Sequence, residues 1–335
     1  MNAKLKRLKT ITEDAFSVLA APSQNRVRFT GYYPESKEYF QDYYFTPFFS
    51  FKQKPVVSSV APSIEFFSVW NSIRKKAQSS SAKIKVFFTG ECVHSDVFKE
   101  YAEFEDHLLN LVDVSFGFDK IDAANYIRYP LWVLYLFDKP EFSKDKIKHR
   151  IDEINQDFTR KALSLKTKDC AVIARHDKNG IRTNIWNAAQ EAGLKIYSAG
   201  AWNHNDDSLW NEFANSKKDY LDQFKYTICP ENCDYDGYVT EKLFQALLSG
   251  CVPLYWGSSN KPEPEVINQD LILFFDKSNP KGLVEKIKEL ETNSKAFEKL
   301  VCQNPLKDYA VDYIYELNQK TKELCTEIAV SKGLI

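Results

Sequence analysis

Short apolar runs alternate with amphipathic stretches along most of this chain, and the alternation predicts strand and helix in turn. In the first part, residues 26–30, 84–88 and 114–118 read as strands, while apolar positions over 63–76 and 96–109 recur at helical spacing. A second series follows, with strands expected at 171–174, 195–198, 224–229, 252–256 and 271–275 and helices at 183–192 and 241–249. Between the two series, 147–165 is long, charged and helical in period with no Gly or Pro inside it, which suits a connection between domains. Such alternation marks a mostly parallel α/β protein, and two Rossmann-like halves facing across a cleft are the architecture it implies. The expected division is 1–150, 151–306 and a helical 307–335, in which 308–329 packs back on the domains.

The densest chemistry lies where the second series turns from strand to helix and back. After the strand at 224–229 come Pro230, Glu231 and Asn232, then Tyr238-Val239-Thr240-Glu241-Lys242, a helix ending at Gly250, and the apolar run Val252-Pro253-Leu254-Tyr255-Trp256. Glu241 and Lys242 fall in a first helical turn, where unpaired N–H groups and the positive end of the macrodipole favour a diphosphate. Thr240 as cap and Glu241 as dipole partner would account for the same letters without a ligand. Glu231, Asn232 and Tyr238, however, fall at the carboxyl end of a strand, where open α/β sheets bind ligands.

These residues carry a resemblance. The segment from Phe224 to Gly257, with Glu231-Asn232, Tyr238-Val239-Thr240-Glu241-Lys242 and Val252-Pro253-Leu254-Tyr255-Trp256-Gly257, is similar to the signature of the α1,3-fucosyltransferases, glycosyltransferase family ten. Thr89-Gly90-Glu91, Ser115-Phe116-Gly117-Phe118-Asp119 and Arg128-Tyr129-Pro130-Leu131 extend it upstream, and Gln303-Asn304-Pro305-Leu306 downstream. The resemblance implies a GT-B fold with GDP-fucose in the C-terminal half, an oligosaccharide or glycoconjugate acceptor of N-acetyllactosamine type, products such as Lewis antigens, and inverting transfer without cofactor or obligatory metal. By it, Glu91 is the general base, Glu241 lies against the fucose ring, and Gly90, Arg182, Asn232, Tyr238 and Lys242 contact the substrates. The chain departs from the pattern at Cys92, at Pro230 and Cys233 beside Glu231-Asn232, and at Arg175-His176 near the guanine side. The heptad repeats and basic tail of some bacterial members are not seen in the sequence, which speaks against coiled-coil dimerisation and tail-mediated docking.

Each role has its chemistry. A carboxylate just past a strand end, in partial burial, gains basicity towards the range a base needs. A guanidinium at a helix start, as Arg182 would be, is opposed by the macrodipole and calls for an anion, and its fork suits phosphate oxygens. Arg182 and Lys242 meet one anion only if their helices start at the same sheet edge. Asp234-Tyr235-Asp236 has the letters of a metal motif, but those two cations already supply the positive charge of a divalent ion.

Composition narrows the field. The 335 residues carry a net charge of −1, which gives no electrostatic case for nucleic acid. No apolar stretch nears a membrane span, and no apolar run follows the basic Met1 to Thr10 start, so a cytoplasmic chain, soluble or peripheral to a membrane surface, is expected. Seven cysteines are an odd count, so mostly buried free thiols are expected, and the Cys229/Cys233 spacing lacks the second pair of a zinc site. Eight aromatic residues between Tyr39 and Phe51 suit core filling better than a sugar groove. Tyr32 and Tyr33, after the first strand, are better placed to meet an acceptor. A transferase for another GDP-sugar, or a catalytically silent glycan-binding protein, are the competing readings.

Overall fold

The computed structural model describes residues 25–32, 44–51, 55–58 and 60–335. Two parallel sheets form, one from each series of strands. The first contains β1 (Arg26–Thr30), β2 (Val56–Val57), β3 (Ile64–Phe67), β4 (Ile84–Phe88), β5 (Val114–Gly117) and β6 (Tyr126–Arg128), in the order β2-β1-β3-β4-β5-β6. The second contains β7 (Lys168–Val172), β8 (Ile196–Ser198), β9 (Phe224–Ile228), β10 (Val252–Tyr255) and β11 (Leu273–Phe274), in the order β11-β10-β9-β7-β8. In local chain sequence the orders are 2-1-3-4-5-6 in the first sheet and 2-1-3-4-5 in the second, the doubly wound arrangement with a switch point beside the first strand. The α/β reading with two Rossmann-like units therefore holds.

Parallel sheets are covered on both faces, so their strands alternate between two cores. On β4, Val86 and Phe88 pack into a cluster with Phe45 and Phe116, while Phe87 turns to the other face against Phe104, at 5.6 Å between ring centroids. The aromatic segment after Tyr39 does fill a core where it is described. Tyr44, Phe45, Phe48 and Phe49 are all buried, and Phe45 stacks on Phe116 at 4.5 Å. Each such side chain stabilises the fold by roughly 2 kcal/mol. Tyr33, Tyr39, Phe40 and Tyr43 lie outside the described residues.

Two expected helices are corrected. Residues 63–76 begin with β3, and the helix there is α1 (Ile73–Ser79). Glu65 interrupts an apolar run and imitates helical spacing, but it is a buried carboxylate in a central strand, held by Arg28 Nε at 2.8 Å and Thr30 Oγ1 at 2.6 Å. Over 96–109 only a short 3-10 turn, Lys99–Phe104, is regular. His107 and Leu108 there take positive φ, and His107 Nε2 bonds Asp119 at 2.6 Å, so the apolar spacing serves successive turns.

The connection α2 (Lys144–Ala162) starts with Ser143 as its cap. In the second half, α3 (Ile181–Glu191) follows β7, α4 (Glu241–Leu248) links β9 to β10, and α5 (Pro280–Thr292) follows β11. The last helix, α6 (Tyr309–Ser331), lies against the first half. The Tyr129 hydroxyl donates to Asn318 Oδ1 at 2.7 Å, and Arg128 Nη1 donates to the Tyr313 hydroxyl at 2.6 Å. Among the described residues no helix is long and apolar enough to cross a membrane.

The free-thiol expectation needs one correction. Cys92 and Cys233 form a disulfide across 141 residues of sequence. Such a pairing is invisible to spacing, because only the fold brings the two segments together. Cys170, Cys229, Cys251 and Cys325 are buried free thiols and Cys302 is exposed.

Candidate active site

The carboxyl ends of the two sheets face one another, and the groups singled out from the sequence gather there. Past β4, Thr89-Gly90-Glu91 makes a turn in which the Glu91 N–H donates to Thr89 Oγ1 at 3.1 Å. Gly90 packs closely on Leu131: a Cβ there would sit 2.9 Å from a Leu131 methyl, so a side chain would require that leucine to move. Glu91 and Gly90 line a cavity of about 350 Å³ together with Glu241, Asn232, Arg175 and His176 from the second half. Tyr32, after β1, and Trp70, after β3, complete its wall from the first sheet's switch point.

Burial pushes the Glu91 carboxyl above its usual range; Lys242 works against this, and the carboxylates of Glu241, Glu231 and Glu100 add to it. It is thus a carboxylate of increased basicity at the mouth of a ligand-sized cavity.

The opposite wall is built around Glu231, a residue read from the sequence by its place at a strand end and as part of the Glu231-Asn232 signature, with no role assigned to it. Its carboxylate is fully buried and accepts from the Thr240 N–H at 2.8 Å, the Thr240 hydroxyl at 2.7 Å and Lys242 Nζ at 3.1 Å. Gly257 makes room for it: with φ 135° and a would-be Cβ 2.8 Å from the Glu231 Cβ, no side chain fits. Thr240 also caps α4, accepting from the Lys242 N–H at 3.5 Å. So Glu231 occupies donors that the sequence reading reserved for a diphosphate, and it fixes Lys242 instead. Burial lowers the Lys242 pKa, but Glu231 and Glu241 outweigh it and the net shift is upward, against the repulsion of Arg182.

Arg182 is buried at the start of α3, with Nη2 donating to Asn232 Oδ1 and Nη1 to the His176 carbonyl, both at 3.0 Å. The anion its position called for is present in the protein. Asp177 accepts from the Arg182 N–H at 3.0 Å and the Thr183 N–H at 2.8 Å, capping the helix. Burial lowers the Arg182 pKa, with Asp177 and Glu231 opposing. Arg182 and Lys242 line one small recess beside Cys229 and Pro230, so α3 and α4 do start at the same edge. Both cations therefore face one recess, with the buried Glu231 partnering Lys242 at 3.1 Å.

His176 sits among these charges. Burial lowers its pKa, followed by Arg182, Lys178 and Lys242, and its buried Nδ1 has no hydrogen-bond partner. Its ring lines the same cavity as Glu91 and Glu241. Arg175 connects this cavity to a second one of about 500 Å³, past β7 and β8, bordered by Gly200, His204 and the exposed Trp210. Tyr238 is the site residue placed differently: it is buried against Phe118 at 5.0 Å between centroids, where the two halves meet. Among the described residues no group of three or more His, Cys, Asp or Glu side chains is arranged to hold a metal ion. A larger cavity, about 580 Å³, lies elsewhere, by Arg128 and Glu263, and these two already pair with each other at 2.6 Å.

Comparison with known proteins supplies the family. Residues 163–331 match the model of the glycosyltransferase family 10 (fucosyltransferase) C-terminal region, and 27–135 that of the α-(1,3)-fucosyltransferase FucT N-terminal domain. The chain belongs to glycosyltransferase family 10. Its relatives include the α-(1,3)-fucosyltransferase FucT of Helicobacter pylori, 29% identical over 70% of this chain and 50% of that protein. The α-(1,3)-fucosyltransferase B of Drosophila melanogaster is 32% identical over 30% of this chain and 24% of its own length. This family member thus spans about half the length of the Helicobacter protein it matches. A crystal structure of an α1,3-fucosyltransferase superposes with a TM-score of 0.59 at 20% identity, covering 89% of this chain and 90% of that one. Another, of an α1,3-fucosyltransferase with GDP-fucose, gives 0.57 with 90% and 91% covered. At that identity the likeness establishes the family's two-domain fold.

Proposed function

We propose that this chain is an inverting fucosyltransferase that moves fucose from GDP-fucose to a glycan hydroxyl, taken as O3 of GlcNAc in an N-acetyllactosamine-like unit. GDP-fucose is a co-substrate on the side of residues 151–306, the acceptor enters from the side of 1–150, and 307–335 bridges them. Family membership supports the reaction class, and a related structure carries GDP-fucose. The observation that carries the reading is one cavity with Glu91 on the first half's wall and Glu241 on the second's, beside the Arg182 and Lys242 recess.

In the reaction, the acceptor oxygen attacks C1 of fucose while its proton passes to Glu91. The bond from C1 to the diphosphate oxygen breaks, its electron pair leaving with GDP, and configuration inverts. Arg182 and Lys242 offset the charge on the departing diphosphate. Glu241 faces the positive charge developing at C1, Asn232 and Gly90 shape the sugar pocket, and Tyr238 buttresses it. The cavity beside Trp210 is the size of a nucleoside, and its aromatic face suits guanine. A transferase for another GDP-sugar is the second reading, favoured by Arg175 and His176 where the family pattern differs.

The test is product formation from GDP-fucose or GDP-mannose with N-acetyllactosamine, with and without EDTA. Fucosylated product in both buffers is expected. Turnover of GDP-mannose alone would overturn the donor, and complete loss in EDTA would overturn the metal-free route.

A further inference from the structure

The disulfide joins the immediate chain neighbours of two site residues: Cys92 follows Glu91 and Cys233 follows Asn232. Taking the fucosyl-transfer reading as its basis, we propose that the Cys92–Cys233 bridge is a positioning element of the reaction, holding the base-bearing turn at a fixed distance from the donor-bearing loop.

The surrounding contacts give the reason. Residues 89–93 are anchored in their own half, through the Thr89 N–H to the Phe116 carbonyl and the Thr89 hydroxyl beneath Glu91. Among the described residues they make no hydrogen bond to the second half, so besides the apolar cluster shared with Tyr238 the bridge is their tie to it. The other contacts of the 233–238 loop fall further along. Tyr235 stacks on His94 at 4.1 Å, Gly237 accepts from Arg128 at 3.1 Å, and Tyr238 packs on Phe118. Lys120 pairs with Asp236, but both are largely exposed, and such pairs contribute little. Cys92 is buried and Cys233 half-buried, in a cluster that also includes Val93 and Tyr238. Without the covalent link, the distance between Glu91 and Asn232 depends on contacts that do not include Glu91's own turn. A displacement of about 1 Å at a reacting group costs up to roughly a hundredfold in rate, so the bridge acts on turnover. On the fucosyl-transfer reading GDP is held by Arg182, Lys242 and the recess, all in the second half, so its binding should not need the bridge.

A dithiol such as dithiothreitol reduces the bridge by two successive thiol–disulfide exchanges. The protein gains two electrons and two protons as two thiols, and the reagent closes to its cyclic disulfide. The experiment compares oxidised protein, dithiothreitol-treated protein and the Cys92→Ser, Cys233→Ser double variant. It reads kcat with GDP-fucose and N-acetyllactosamine, GDP affinity, and hydrogen exchange at residues 89–92. Expected on reduction are a kcat lower by about ten- to a hundredfold, GDP affinity within twofold, faster exchange at 89–92, and recovery on reoxidation. The double variant should match the reduced protein and ignore dithiothreitol. An unchanged kcat on reduction, or GDP affinity falling by the same factor as kcat, would overturn the positioning role. If the oxidised protein transfers no fucose, the transferase reading fails by itself; faster exchange at 89–92 on reduction would still support the tether, and unchanged exchange would overturn it.

Discussion

The two strand-end edges that meet at the cleft are built on opposite principles. The second half presents charges locked to one another: Glu231 holds Thr240 and Lys242, Asp177 caps the helix that carries Arg182, and Arg182 reaches Asn232. The first half presents aromatic side chains, Tyr32, Trp70, Phe98 and Tyr101, with Glu91 as the one carboxylate among the described lining residues. On the proposed function, one edge binds by preorganised charge, the other by shape and one basic group. On this account the base lies in the first half and the nucleotide-binding charges in the second, and substitutions should separate loss of the base from loss of nucleotide affinity.

The largest effect is expected at the carboxylate. Glu91→Gln should lower kcat about a thousandfold, within the range for removal of a general base, while GDP affinity measured by calorimetry stays within threefold. Next comes the hidden anchor of the charged edge. Glu231→Ala strips Lys242 and Thr240 of their partner and should cost about 3 kcal/mol of stability in denaturant unfolding; no change in midpoint would mean the network is ornamental. Arg182→Lys keeps the charge but loses the fork, and GDP should bind about tenfold more weakly with acceptor KM unchanged. A matching loss in acceptor affinity would blur the division between halves. The smallest change is Trp210→Ala, for which GDP affinity should fall about fivefold, a stacking contribution near 1 kcal/mol.

The amphipathic alternation was enough to read two parallel units, and strands such as Ile84–Phe88 appear where the pattern put them. It misled where one polar residue was buried for its own reasons, as Glu65 is in β3. The site residues matched from sequence lie round one cleft, but their supports were not legible. Glu231 and Asp177 act through geometry between a loop and a helix start, and an acidic residue ahead of Thr-Glu-Lys or of Asn-Gly was the available hint. His176 was noticed only as a departure from the family pattern, and its unpartnered nitrogen needed the fold to be seen. Cys92 and Cys233 were likewise two separate departures until the structure joined them.

On the proposed function Glu91 is the base, and its burial tunes it. Burial and the neighbouring carboxylates raise its pKa above the 4.5 of an ordinary glutamate, so the basic form appears only as pH climbs past that raised value. The direct measurement is kcat against pH with GDP-fucose and N-acetyllactosamine both saturating. The account predicts a rate that rises with pH through an inflection above 4.5 and a limb that disappears in Glu91→Gln. A wild-type rate that is flat across this range, or the same limb persisting in Glu91→Gln, would contradict it.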